Sequence, residues 1–101
     1  MIPTKRRPTH PGILLNELFL KPRKISISQL AEATGIGRKH LSRIINCHVN
    51  LSVDTAAKLA LVLNTTAELW INAQRNLDIF EAQQKLKGWT PKKVFVAPEV
   101  D

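Results

Sequence analysis

The chain has 101 residues, a formal net charge of +7 and a sequence pI near 10.1, which leaves room for one domain built around one core. Its single cysteine, Cys47, excludes an intramolecular disulfide framework and fits a reducing cytoplasm. No apolar run approaches the ~18 residues of a membrane span, and Lys5-Arg6-Arg7 runs into Pro8-Thr9-His10-Pro11-Gly12 rather than into the apolar stretch of a signal peptide.

Residues 1–9 read as an irregular basic arm, either a disordered tail with a general electrostatic role or an arm that touches phosphate or the minor groove. His10 and Pro11 open a first helix, Pro being acceptable at its first position. Ile13, Leu14, Leu18 and Phe19 recur at helical spacing and are expected in the core. Pro22 is expected to stop this helix. Lys21, Arg23 and Lys24 then lead into Ser26, as phosphate-contact candidates or as solvated loop residues.

The stretch Ser26–Asn46, SISQLAEATGIGRKHLSRIIN, predicts two short helices joined by a tight turn. Ser26 and Gln29 have the spacing of a capping box. Leu30, Ala31 and Thr34 give an inward face, and the small Ala31 lets a second helix cross close by. Gly35 suits a left-handed helix end, Ile36 plugs the gap between the helices, and Gly37 caps the second. Leu41, Ile44 and Ile45 face inward. Arg38, Lys39, Ser42, Arg43 and Asn46 are left outward, with His40 at the edge. This is the arrangement of a helix-turn-helix whose second helix enters the major groove of DNA; any helical hairpin with a solvated basic face is the plainer reading.

After the Cys47–Leu51 loop, Ser52 caps a fourth helix with Asp54 in its first turn and Val53, Ala56, Ala57, Ala60 and Leu63 along the buried side. Asn64 suits its left-handed end. Thr65 and Glu68 form another capping box. A fifth helix follows with Leu69, Trp70, Ala73, Leu77 and Phe80, ending near Lys87 before Gly88. The tail, with alternating Val94-Phe95-Val96, is either disordered or lays a strand along a partner. The chain thus divides into an arm (1–9), an all-α domain (10–87) and a tail (88–101), without repeats.

Charge supports the motif. Residues 1–46 hold nine basic and two acidic residues, whereas residues 47–101 hold six of each. The whole excess lies in the half with the proposed recognition helix, a field that attracts phosphate backbones; no strongly apolar amphipathic helix accompanies it, so a membrane surface is not the expected partner. Arg38, Lys39 and Arg43 are candidates for base edges, guanine O6 and N7 above all, or for flanking phosphates. His40 adds a base or phosphate hydrogen bond. Ser26, Asn46 and His48 are placed to hold phosphates, and Gln29, Gly37 and Ser42 complete the candidate DNA-binding set. An enzyme is not expected: His10, His40, Cys47 and His48 have no standard zinc spacing, and there is neither a Gly-rich phosphate loop nor a nucleophile elbow. No metal or cofactor is expected.

Three segments resemble the Cro/C1-type (XRE) helix-turn-helix proteins, and more closely their HigA (VapI-like) antitoxins. These are HPGILLNELFLKP (10–22), the motif at 26–46, and LSVDTAAKLALVLNTTAELWINAQRNLDIF (51–80), with its Trp70 to Gln74 element. The chain departs from that pattern at Gly37, where Ser or Asp often caps, at Cys47, where Gly is usual, and at Ile27, where Gln is frequent. The resemblance implies a five-helix, lambda-repressor-like domain that dimerises on a palindromic operator, autorepresses, and neutralises a RelE-like (HigB-like) mRNA interferase. The alternatives are a stand-alone XRE-family regulator without a toxin, and a protein-binding module that has lost DNA binding. The fifth helix is expected to contribute to the dimer surface, with Trp70 and Phe80 serving that surface or, as aromatic helix positions more often do, the core.

Overall fold

The computed structural model describes residues 6–98; residues 1–5 of the arm and 99–101 of the tail lie outside the described part. The described residues form five helices and no strand. The first, α1, is one helical run over residues 11–23: a turn of α-helix Pro11–Leu14, a π-helical stretch Leu15–Leu20 and a closing turn Lys21–Arg23. It is followed by α2 (Ile27–Thr34), α3 (Arg38–Ile45), α4 (Val53–Leu63) and α5 (Ala67–Lys85). α1 packs on α3 and α5, α2 on α3 and α4, and α4 on α5.

The expected register fails in α1. A regular helix brings Ile13, Leu14, Leu18 and Phe19 to one side. The π-helical stretch instead closes wider turns, such as that from the Lys21 N–H to the Asn16 carbonyl. Leu15 and Leu20, five residues apart, therefore share the core face, and both are buried. Ile13 and Leu18 turn to solvent, 43% and 61% exposed, while Leu14 and Phe19 pack partly buried against the core. Nor does Pro22 stop the helix. In a regular helix it forfeits a bond to residue i−4 and crowds that carbonyl; here it stands in the last turn, just after the π-helical stretch. The stop falls at Lys24, in the left-handed region at φ 55°.

Ala31 packs partly buried against the core, and a second close approach of helices falls at Gly12. A Cβ on Gly12 would lie 1.8 Å from the Ile44 carbonyl oxygen, so α1 and α3 touch backbone to backbone.

In α4, Val53 and Ala57 are exposed, contrary to the expected stripe, and Thr55 and Leu59 are buried beside Ala56, Ala60 and Leu63. Thr55 can be buried because its polar groups are met: Ser52 Oγ accepts its N–H at 3.2 Å and donates to its Oγ1 at 3.0 Å. Asn64 ends the helix in the left-handed region, φ 58°, as expected. The expected Thr65–Glu68 box does not form. Thr66 caps α5, accepting the Leu69 N–H at 3.2 Å, because the Thr65 hydroxyl is taken by the indole N–H of Trp70 at 2.8 Å. A buried indole needs an acceptor, and Trp70 is the largest fully buried side chain.

Trp70 lies 5.2 Å from Phe19 at 52°, and the Arg23 guanidinium sits 5.0 Å over the same phenyl ring while donating to the Leu63 carbonyl at 2.8 Å. Around them Leu15, Leu20, Leu30, Leu41, Ile44, Leu51, Leu59 and Leu63 close the core. Along α5, Leu77 is buried as expected and Leu69 is not. The helix ends at Lys85, and Gly88 takes φ 84° just beyond it. Residues 89–98 are exposed without regular structure, Val94, Phe95 and Val96 included.

Candidate nucleic-acid interface

α2, the turn and α3 assemble as the residue chemistry dictates. Ser26 Oγ accepts the Gln29 N–H at 3.0 Å, and Gln29 Oε1 accepts the Ser26 N–H at 2.8 Å. Gly35 adopts φ 75° and returns its N–H to the Ala31 carbonyl at 2.8 Å. The Thr34 hydroxyl stitches the turn: it donates to the Leu30 carbonyl at 2.7 Å and accepts the Ile36 N–H at 3.2 Å. Ile36 packs partly buried against the core, as the plug reading requires. Gly37 caps α3 with extended backbone and no side-chain acceptor.

α3 buries Leu41 and Ile44 and leaves Arg38, Lys39, His40 and Arg43 exposed. Its first turn contains no acidic residue. Two cations therefore stand at the positive end of a helix dipole, where cations are unfavourable; an anion drawn to this end offsets that cost. Among the other cations of this half, Arg7 pairs with Glu81 of α5, Lys21 with Glu17 at 2.6 Å, and Arg23 is held by Phe19 and the Leu63 carbonyl. No carboxylate is paired with Arg38, Lys39 or Arg43 among the described residues. Arg38 instead donates to Ser28 Oγ at 3.3 Å, a bond from the recognition helix back to α2. Spacing alone did not single out Ser28.

The remaining predicted positions fall around this cluster. Ser26 and Gln29 frame the start of α2; Ser26 Oγ and Gln29 Oε1 accept in the cap, which leaves the Ser26 O–H and the Gln29 amide nitrogen as donors. Ser42 is half-buried and bonded to Asn46, whose Nδ2 donates to the Ser42 carbonyl at 2.9 Å and to its Oγ at 3.3 Å. The two thus come as a pair that leaves Asn46 Oδ1 outward. Cys47 stands in the left-handed region at φ 63°, with its N–H bonded to the Ile44 carbonyl at 3.0 Å and that of His48 to the Arg43 carbonyl at 2.8 Å. This Schellman closure explains why a glycine suits the position. His48 is exposed beyond it.

His10 sits behind the interface. Its Nδ1 accepts the Gly12 N–H at 2.9 Å and its Nε2 lies 3.1 Å from the Val49 carbonyl. Only the neutral tautomer protonated at Nε2 satisfies both. Burial lowers its pKa below the ordinary 6.5; the Val49 bond opposes this, Arg7 adds to it, and Glu81 and Asp78 oppose it. Gln74, from α5, reaches the same loop: its Oε1 accepts the Leu51 N–H at 2.8 Å and its Nε2 donates to Asp78 at 2.8 Å. The sequence had marked Gln74 only as part of a motif.

The fold and the exposed basic face define a helix-turn-helix DNA-binding protein of the Cro/C1 class. A helix-turn-helix family model matches residues 17–79, and the chain belongs to that family. It is 40% identical to antitoxin HigA-1 of Vibrio cholerae over 82 residues, 81% of this chain and 77% of that protein. It is 37% identical to an uncharacterized HTH-type transcriptional regulator of Haemophilus influenzae over 78 residues, 77% of this chain and 73% of that protein. Among solved structures it is similar to antitoxin GraA in complex with its operator, with a TM-score of 0.80 and 31% identity, covering 94% of this chain and all of that one.

Proposed function

We propose that this chain is the DNA-binding antitoxin of a type II, HigBA-like toxin–antitoxin module. It represses its own operon and neutralises a RelE-like mRNA interferase. The observation that carries the DNA-binding part is the exposed Arg38, Lys39 and Arg43 cluster on α3, with no acid in that helix's first turn. The antitoxin part is supported by the HigA and GraA likenesses.

In this reading α3 enters the major groove. Arg38, Lys39 and Arg43 meet base edges or flanking phosphates, His40 adds a hydrogen bond, and Ser26, Gln29, Gly37, Ser42, Asn46 and His48 face the backbone around them. Two copies related by a two-fold axis read a palindrome with half-sites roughly 34–36 Å apart. The chain works in the cytoplasm, where DNA and toxin are; no helix among the described residues is long and apolar enough to cross a membrane. It has no catalytic activity of its own and acts by binding.

A stand-alone regulator without a toxin is the second reading, favoured by the likeness to the Haemophilus influenzae regulator. Titration of the purified protein with DNA from upstream of its gene, at two salt concentrations and beside unrelated DNA, tests the shared part. Preference for the upstream DNA with strong salt dependence is expected; equal weak binding to both overturns it. A short basic reading frame beside the gene, whose product co-purifies with this chain and loses mRNA cleavage in the complex, separates the antitoxin from the stand-alone regulator.

A further inference from the structure

We propose that the loop between α3 and α4 is a preset phosphate clamp, in which His10 and Gln74 are positioning residues and Asn50, beside His48, makes the contact. The proposal rests on the DNA-binding reading above and assigns residues that the motif does not.

The loop is pinned on both sides of Asn50. Before it, the Val49 carbonyl receives His10 Nε2 at 3.1 Å; after it, the Leu51 N–H is accepted by Gln74 Oε1 at 2.8 Å. Both latches come from buried side chains, one at the start of α1 and one in the middle of α5. Val49 and Leu51 also pack against the core, so burial alternates from His48 to Leu51: His48 and Asn50 are exposed while Val49 and Leu51 point in. A buried Gln is costly unless its groups are met, and Gln74 meets one of them on this loop. Residues 33–53 contain no Asp or Glu, so nothing in the segment repels a phosphate. The loop leaves α3 directly, at the end away from Arg38 and Lys39, where side chains meet the sugar–phosphate backbone when the start of a recognition helix reads bases. Holding the loop in advance removes an ordering cost from binding.

The test uses the full chain and upstream DNA, with affinity and phosphate-ethylation interference as readouts and circular dichroism as the folding control. Asn50→Ala is expected to weaken binding roughly tenfold, as for one lost hydrogen bond to a charged group. Base preference and salt slope should stay as they are, because no charge is removed. His10→Asn keeps an N-cap acceptor for Gly12 but is too short to reach Val49. That variant and Gln74→Met are expected to lose affinity while folded, and to cost nothing further when added to Asn50→Ala. The same phosphate signals should vanish in Asn50→Ala and His10→Asn. Additive losses, or wild-type affinity in Asn50→Ala, overturn the clamp. If Gln74→Met does not fold, His10→Asn and Asn50→Ala decide the matter. Wild-type preference for upstream DNA that is lost in Arg43→Ala, together with undiminished affinity in Asn50→Ala, overturns the clamp alone; no wild-type preference overturns the DNA-binding reading with it.

Discussion

Three roles meet on His10: it caps α1, ties α1 to the loop after α3, and is held neutral by burial. Protonation would place a proton on Nδ1, the atom that accepts from Gly12. The unfolded chain binds that proton near pH 6.5, and the folded chain only at lower pH. Stability is therefore full above about 6.5, falls as pH drops through 6.5 toward the lower folded value, and no longer changes on this account below it. Urea midpoints at pH 8, 6 and 5 should show this decline, and His10→Asn should flatten it. Gly12 is a second residue with no substitute. Because an added Cβ would meet the Ile44 backbone, Gly12→Ala should destabilise the fold by about 3 kcal/mol, with a fall in Tm on the order of 10 °C. The contact is not legible in sequence, since a glycine beside a helix start reads equally as a turn.

At the scale of elements, α3 carries two imperfect ends, the weak cap at Gly37 being legible from residue chemistry and the misfit at Cys47 only from the family resemblance. Cys47 occupies the left-handed position that glycine takes without steric cost. Cys47→Gly should raise stability by about 1 kcal/mol, measurable by denaturant titration. Gly37 has the extended backbone of a cap, with no atom within 4 Å of the Cβ it lacks. Gly37→Ser should therefore raise stability by about 0.5 kcal/mol; a fall would mean that the cap geometry is wrong. The motif was legible because caps, turn glycine and inward leucines are local rules within 21 residues. α1 was not, because its π-helical turns change the period by which a buried face is read: Leu15 and Leu20 look misplaced on a 3.6-residue repeat and are core on the wider one.

For the whole molecule, net charge says less than where the charges are tied. The arm's Arg7 and, in the last turn of α1, Lys21 and Arg23 are all engaged within the chain, while Arg38, Lys39 and Arg43 stay exposed on α3. Two variants with the same formal charge loss should consequently behave differently. Arg43→Ala should weaken operator binding by roughly tenfold or more and alter base preference. Arg7→Gln, which gives up an exposed ion pair, should change affinity by less than about threefold. Equal losses in gel-shift or anisotropy titrations would mean that the overall field, and not the recognition helix, governs binding.

The sequence by itself determined the class: five helices, the two-helix motif, the capping residues of α2 and α4, and the basic outward face of α3. Those features depend on neighbours in the chain, through caps, turn conformations and helical spacing, so a linear reading reaches them. Tertiary structure alone decided which residues of α1 are core, why Gly12 is glycine, how Thr65 serves Trp70 rather than a capping box, and how His10 and Gln74 reach the same loop. His10 and Val49 are 39 positions apart, and Leu51 and Gln74 are 23 apart. Contacts of that separation obey no local period; they exist because packing α1 and α5 against α3 and α4 brings buried polar groups together, where each must find a partner.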